Sequence, residues 1–472
     1  MNLILLVPAA MLGALVLVAC VRRPVATIVP IYAALVPFGD VFSLRVPLPK
    51  PFNSLSSVVG ALTIVALVLH LLLERRGRVP TLPVGLWLAF LGWGTLTFLW
   101  AQDPTNVAHE VLIAAPLLLL LVLVSMVDVT RAELYRVRDA VVLSGAGVGA
   151  YGLLLMAAGR NLPAHGLTDR FSVAANPSNT NPNQLAAALL LPVMLAIGLV
   201  LEGRSEGTPR WRPWFGGVSA VLTAFAMAIS GSRGGALAGV VGFATLLILW
   251  YRWRPWQRDR VRRVVVGTAL GGIAVIVMLA IIVALFPQGK VASVVTNGPL
   301  QRLTETSTSS GRAEIWTTGA IACRTYCAFG AGLSNFTIAY SQVVAFSDVT
   351  RNVGVSRPGH NLYLETVVET GVVGFALFWM AVGSEFRSLR ARRSYEITAA
   401  LMAAIVAILL ADFFEAFLWF KHAWLPFMMV RLLEGVYAAE PVREAIDRFR
   451  APARASALPT PGPSPGVEGT VA

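Results

Sequence analysis

The sequence predicts an all-α fold, a polytopic membrane helix bundle of about twelve transmembrane helices, and three observations carry that prediction. Hydrophobic residues fill 56% of the 472 positions and charged residues only 13%, giving a mean hydropathy of +0.70. No soluble domain can cover itself with a polar skin from that composition. Apolar stretches close to the ~20 residues that cross a ~30 Å hydrocarbon core recur from residue 25 almost to residue 437. They lack the ~10-residue alternation of barrel strands, so each reads as a helix.

In chain order the predicted spans are 25–39, 55–73, 83–100, 108–127, 140–158, 184–201, 215–230, 236–251, 264–286, 361–383, 396–414 and 423–437. Residues 3–20 are also apolar, and whether they form a further full span, and so on which side the chain starts, stays open. Leu17-Val18-Ala19-Cys20 fits a lipoprotein cleavage box. No basic segment precedes it and Arg22 and Arg23 follow at once, which favours an ordinary membrane helix.

Basic loops fix the orientation, because short Lys/Arg-rich connections stay in the cytoplasm. Arg22 and Arg23; Arg75, Arg76 and Arg78; Arg131, Arg136 and Arg138; Arg204, Arg210 and Arg212; Arg252 to Arg263; Arg387 to Arg393; and the segment from Arg431 onward hold most of the 38 Lys and Arg. The twelve spans alternate about these loops without conflict. The net charge of +13 is accounted for by anionic headgroups, and nucleic acid is not an expected partner. Residues 1–437 then form one transmembrane domain that includes a large external helical segment, 287–360. Residues 438–450 are expected as a cytoplasmic amphipathic helix, and 451–472, rich in Pro, Ala and Gly, as a disordered tail.

The segment 287–360 is too long for a structureless connection. A helix is expected from Arg312 to Cys327, with Gly311 in the cap region, Glu314 in the first turn, and Gly330 and Gly332 as the stop. Cys323 and Cys327 sit four apart there. A disulfide is chemically possible, but i,i+4 helical geometry favours two free thiols. No Cys/His grouping has zinc spacing, and the outward segments hold no tight acidic group, so no metal is expected.

Chemistry collects on the outward face. Arg233 lies in Ser230-Gly231-Ser232-Arg233-Gly234-Gly235, a turn between two spans. Its guanidinium can clamp phosphate, and small neighbours allow a ligand to approach the backbone; a snorkelling arginine is the bland alternative. His360 falls where the long segment re-enters the membrane. Its imidazole is poised to take a proton, with Asn361 placed to orient it. Arg170 precedes a turn-rich run in which Asn183 reads as the cap of the next span; Ser232, Arg302 and Lys290 complete the candidate anion-binding set. Glu365 and Glu369 form a reserve base pair whose structural alternative is a buried helix face. Asp412, Glu415 and Lys421 read first as a structural ion pair and second as a substrate-lining group.

Arg170 with Asn181-Pro182-Asn183, Ser232-Arg233-Gly234-Gly235, Gly311-Arg312 with Trp316, Gly330-Ala331-Gly332-Leu333-Ser334-Asn335-Phe336, and His360-Asn361 followed by Glu369-Thr370-Gly371 and Gly374 share one side and one order. In these motifs the chain resembles the O-antigen ligase and Wzy polymerase superfamily, and within it an O-antigen ligase. The resemblance implies a GT-C-type glycosyltransferase of the bacterial inner membrane with its active site facing the periplasm. Such an enzyme takes a glycan from undecaprenyl diphosphate and joins it, without a metal or other cofactor and with inversion, to an acceptor hydroxyl on lipid A core. It implies that Arg233 and Arg312 hold the diphosphate and that His360 is required for transfer. One departure is Cys327-Ala328-Phe329-Gly330, where relatives often carry a proline before the glycine turn. An O-antigen polymerase and a protein O-oligosaccharyltransferase are alternatives of the same superfamily. A lipid-linked glycan transporter is the alternative from a different class, and predicts cations at mid-membrane depth.

Overall fold

The computed structural model describes residues 15–39, 42, 53–75, 77–158, 164–165, 168–172, 181–203, 209–285, 311–346 and 357–450. From residue 28 onward, fourteen helices of eight residues or more are described: α1 Ile28–Phe38, α2 Leu55–Glu74, α3 Leu82–Leu99, α4 Pro104–Met126, α5 Arg131–Ala157, α6 Pro182–Glu202, α7 Arg212–Ile229, α8 Arg233–Trp253, α9 Arg258–Leu285, α10 Arg312–Tyr326, α11 Phe336–Val343, α12 Leu362–Ala391, α13 Ile397–Ala411 and α14 Lys421–Arg450. Residues 15–22 are helical as well. A two-residue antiparallel ladder pairs Ala164–His165 with Thr168–Asp169. The protein is thus a polytopic helical membrane protein.

A helix lies over each of the twelve predicted spans. Eight of them, α2 to α8 and α12, are long and apolar enough to cross a bilayer. Helix starts follow local chemistry: Thr130 closes a capping box with Glu133 at α5, Ser54 caps α2, and Ser232 caps α8. Asn181, not Asn183, caps α6. Its side chain accepts from the N–H groups of Asn183 and Gln184, and Pro182 occupies the first helical position, where no N–H is needed. Asn183 is thereby released for tertiary contacts.

Helix α6 sits at the centre, with 83% of its apolar window buried, and packs against α5, α7, α8 and α13. Helix α3 lies on α12, and α14 on α4 and α5. A smaller apolar core joins α10 and α11 to α12: Ile315 and Ala322 of α10, Phe336, Ala339 and Tyr340 of α11, and Val368 of α12.

The joint between these layers is a break in α12. Gly371 adopts φ +68°, which frees the carbonyls of Val368 and Glu369 from the helix. The N–H groups of Ala331 and Gly332 donate to those carbonyls at 2.8 and 2.9 Å, and Val372 N–H donates to Cys327 O at 2.8 Å. A Cβ on Gly330 would stand 2.2 Å from Glu369 O. Only glycine permits this approach, so the two glycine motifs after α10 and within α12 form one joint. The turn forms with Phe329 before Gly330, so the missing proline leaves it intact.

Helix α10 begins at Arg312 after Gly311 (φ +72°) and ends at Tyr326, within a residue of the prediction. Cys323 and Cys327 are bonded as a disulfide, contrary to the expected free thiols. Cys327 is the C-cap, and its Cα lies 4.6 Å from that of Cys323, inside the span that a disulfide bridges. Cys20 is a buried free thiol.

At the end of the bundle opposite His360, a buried charge network ties α3, α12 and α14 together. Arg431 and Glu385 are both 0% exposed and hydrogen bonded to each other. Arg431 also reaches Glu434 at 2.8 Å and Thr81 at 2.6 Å, and Trp87 donates to Glu385 at 3.2 Å. Removing one member of such a network strands its partner in an apolar interior. Arg431→Ala should therefore lower stability by about 3–5 kcal/mol, read as a fall in melting temperature in detergent. Arg258→Ala, at an exposed site, should leave it unchanged, and equal melting of the two variants would contradict this reading.

Candidate active site

The turn between α7 and α8, the start of α6, the start of α10 and the α13–α14 connection meet at one end of the bundle. They enclose a pocket of about 60 Å³, several times the space of one water. Arg170, Asn183, Ser232, Arg233, Arg312 and Glu415 line it.

Each arginine is positioned by a different device. Arg170 is buried and donates through Nε to Ser230 O at 2.8 Å and through Nη2 to Asn183 Oδ1 at 2.9 Å. Arg233 occupies the first position of α8, directly after Ser232, whose hydroxyl accepts from Gly235 N–H at 3.2 Å. Gly235 is required by packing: a Cβ there would lie 2.4 Å from Cβ of Ala186 in α6. Gly235 thus lets α8 close against α6, Gly234 faces Phe414, and both also line the pocket, where the sequence suggests room for a ligand. Arg312 opens α10 and reaches Glu415 at 3.6 Å. Among the described residues, three arginines and one carboxylate line the pocket.

Glu415, which the sequence reads first as part of a structural ion pair and second as substrate-lining, lines the pocket and connects the site. Its Oε1 meets Nδ1 of His360 at 2.5 Å, and its Oε2 accepts from Asn183 Nδ2 at 3.3 Å while facing Arg312. The ion pair expected among Asp412, Glu415 and Lys421 does not form. Asp412 accepts from Phe417 N–H, and Lys421 donates to the hydroxyls of Ser54, Ser56 and Ser57. The tight α13–α14 connection directs those three side chains to different neighbours.

His360 is not among the pocket-lining residues; it stands beside them, joined through Glu415, with its side chain 33% exposed. Its backbone is left-handed, φ +48°, a conformation that costs a non-glycine residue ~1 kcal/mol or more. Two contacts hold the turn. Trp316 of α10 donates to Gly359 O at 3.1 Å, and the Glu365 carboxylate packs against the turn, its Oε1 3.0 Å from where a Cβ on Gly359 would stand. Glu365 thus acts on the backbone of the turn. Glu369 accepts from Phe336 N–H. Asn361 caps α12 by accepting from Leu364 N–H at 3.0 Å, so Glu415, not Asn361, orients the imidazole. Arg302 and Lys290 lie outside the described residues. Among the described residues, no group of three or more His, Cys, Asp or Glu is placed to hold a metal ion.

Residues 218–379 match the family model described as O-Antigen ligase. This supports placing the chain in the O-antigen ligase and Wzy superfamily, whose members are ligases or polymerases. No curated protein matches the chain. The O-antigen ligase match contains Ser232, Arg233, Arg312 and His360. It ends within α12, before Glu415, and begins after Arg170 and Asn183, so those three join the site through the fold.

Proposed function

We propose that the protein transfers a glycan from undecaprenyl diphosphate to an acceptor hydroxyl at the periplasmic face of the inner membrane, with lipid A core as the acceptor. The observation that supports this most is the convergence of Arg170, Arg233 and Arg312 on one pocket joined through Glu415 to His360. The three pocket arginines lie at the end of the bundle where α8, α10 and α12 begin. A transporter would call for cations at mid-depth.

The acceptor oxygen attacks the anomeric carbon from the face opposite the phosphate, and the bond from that carbon to the diphosphate oxygen breaks with inversion. Negative charge grows on the leaving diphosphate, where fixed guanidinium groups stabilise it without having to reorganise. The described donor set, three arginines and one carboxylate, suits phosphate better than a divalent cation. The hydroxyl proton passes to His360. With Nδ1 donating to Glu415, a tautomer inferred from that contact, Nε2 carries the free lone pair and Glu415 stabilises the imidazolium that forms.

Purified protein incubated with an undecaprenyl-diphosphate glycan and lipid A core should yield core-linked glycan, and excess EDTA should leave the rate unchanged. Longer glycan on the carrier would make it a polymerase, and glycan on protein an oligosaccharyltransferase. Strict dependence on added divalent cation would contradict the arginine mechanism.

A further inference from the structure

At the opposite end of the bundle, the last turns of α8 and α12 border a cleft together with Met402 of α13, which packs against both helices. The cleft holds a cavity of about 960 Å³, lined by Arg252, Arg387, Arg390 and Arg393, with Leu249, Phe386 and Met402 among its apolar walls and Trp253 and Trp256 at its rim. We propose that this cavity is a binding site for an anionic glycerophospholipid, whose phosphodiester is held by the four arginines and whose acyl chains run along the apolar wall.

The arginines of these segments divide into two sets. Arg254 is buried and donates to Ser394 O at 2.9 Å, and Arg392 pairs with Glu434 at 3.4 Å. Both hold the protein together. None of Arg252, Arg387, Arg390 and Arg393 forms an ion pair with a carboxylate among the described residues. All four line the same space. The competing field is that of the helix C-termini: α8 and α12 both end here, and each contributes roughly half a negative charge. Four full positive charges outweigh roughly one negative charge, so the cavity attracts anions.

The surroundings select a lipid over a soluble anion. Leu249 lies one turn before the end of α8, Phe386 lies a turn or more before the end of α12, and Met402 of α13 is buried between them. Trp256 is 72% exposed, a position that suits an indole at the headgroup level of a bilayer. A basic pocket between spans with an apolar wall below it matches both halves of an anionic lipid. The site lies at the far end of α8 and α12 from Arg233 and His360, so it is independent of the proposed transfer reaction.

The test is lipid retention by the full-length protein. Protein reconstituted in vesicles of equal phosphatidylglycerol and phosphatidylcholine is extracted in mild detergent and weighed by native mass spectrometry. Wild type should retain phosphatidylglycerol at least tenfold over phosphatidylcholine, and 10 mM inorganic phosphate should not displace it. The Arg387→Gln/Arg390→Gln/Arg393→Gln variant should lose that preference. Arg136→Gln/Arg262→Gln/Arg263→Gln, which removes equal charge elsewhere, should keep it. Equal retention of the two lipids by wild type would overturn the proposal without recourse to any variant. Displacement by inorganic phosphate would also overturn it, as would equal loss in both triple variants.

Discussion

His360→Ala should reduce glycan transfer by about 10²–10⁴-fold, the range for loss of a positioned general base, while the protein remains in the membrane at wild-type abundance. The side chain is partly exposed, and its turn is held by Trp316 through the backbone and flanked by Glu365, so removing the imidazole leaves the fold in place. Alanine is nevertheless poorly suited to the left-handed conformation at this position. His360→Asn separates the two effects, because asparagine tolerates that backbone but cannot serve as a base at neutral pH. Both variants should be equally inactive. An active His360→Asn would show that the residue matters only for the turn. Glu415→Gln, which keeps the shape and removes the charge facing imidazole and Arg312, should fall between wild type and His360→Ala.

Arg233→Ala should cost about 10²–10³-fold in transfer, as expected when one fixed donor to a developing anion is lost. Arg312→Ala should cost at least as much, because it also removes the cation facing Glu415 and so changes the field at His360. Arg233 is therefore the cleaner probe of diphosphate binding. Arg233→Lys should recover only part of the activity, since an ammonium cannot make the paired contacts of a guanidinium. Full activity in Arg233→Ala would remove this pocket from the reaction.

Local signals in the sequence were sufficient for much of this architecture. The apolar stretches located the helices, Ser232 and Asn361 stand at helix starts as N-caps, and Gly311 and Gly330 bracket α10. Arg170, Arg233 and Arg312 are legible as a set because each falls in a connection expected on the side opposite the basic loops. What stayed hidden was set by packing between distant segments. Asn183 and Asn181 are two residues apart and chemically identical; only the proline between them and the position of Arg170 decide which one caps. Glu415 looks like one member of an acidic and basic cluster until the fold places it against His360, 55 positions earlier in the chain. The cysteines show the reverse error: spacing argued against a bond that becomes possible because Cys327 lies at the very end of its helix.

The claim underlying the account is that Arg170, Arg233 and Arg312 together hold a lipid-linked diphosphate. Equilibrium binding of undecaprenyl diphosphate to the purified protein in nanodiscs, with undecaprenol as the uncharged competitor, measures that directly. Wild type should bind the diphosphate and not the alcohol, and the Arg233→Ala/Arg312→Ala variant should bind neither. Undiminished binding of the diphosphate by that variant would contradict the account.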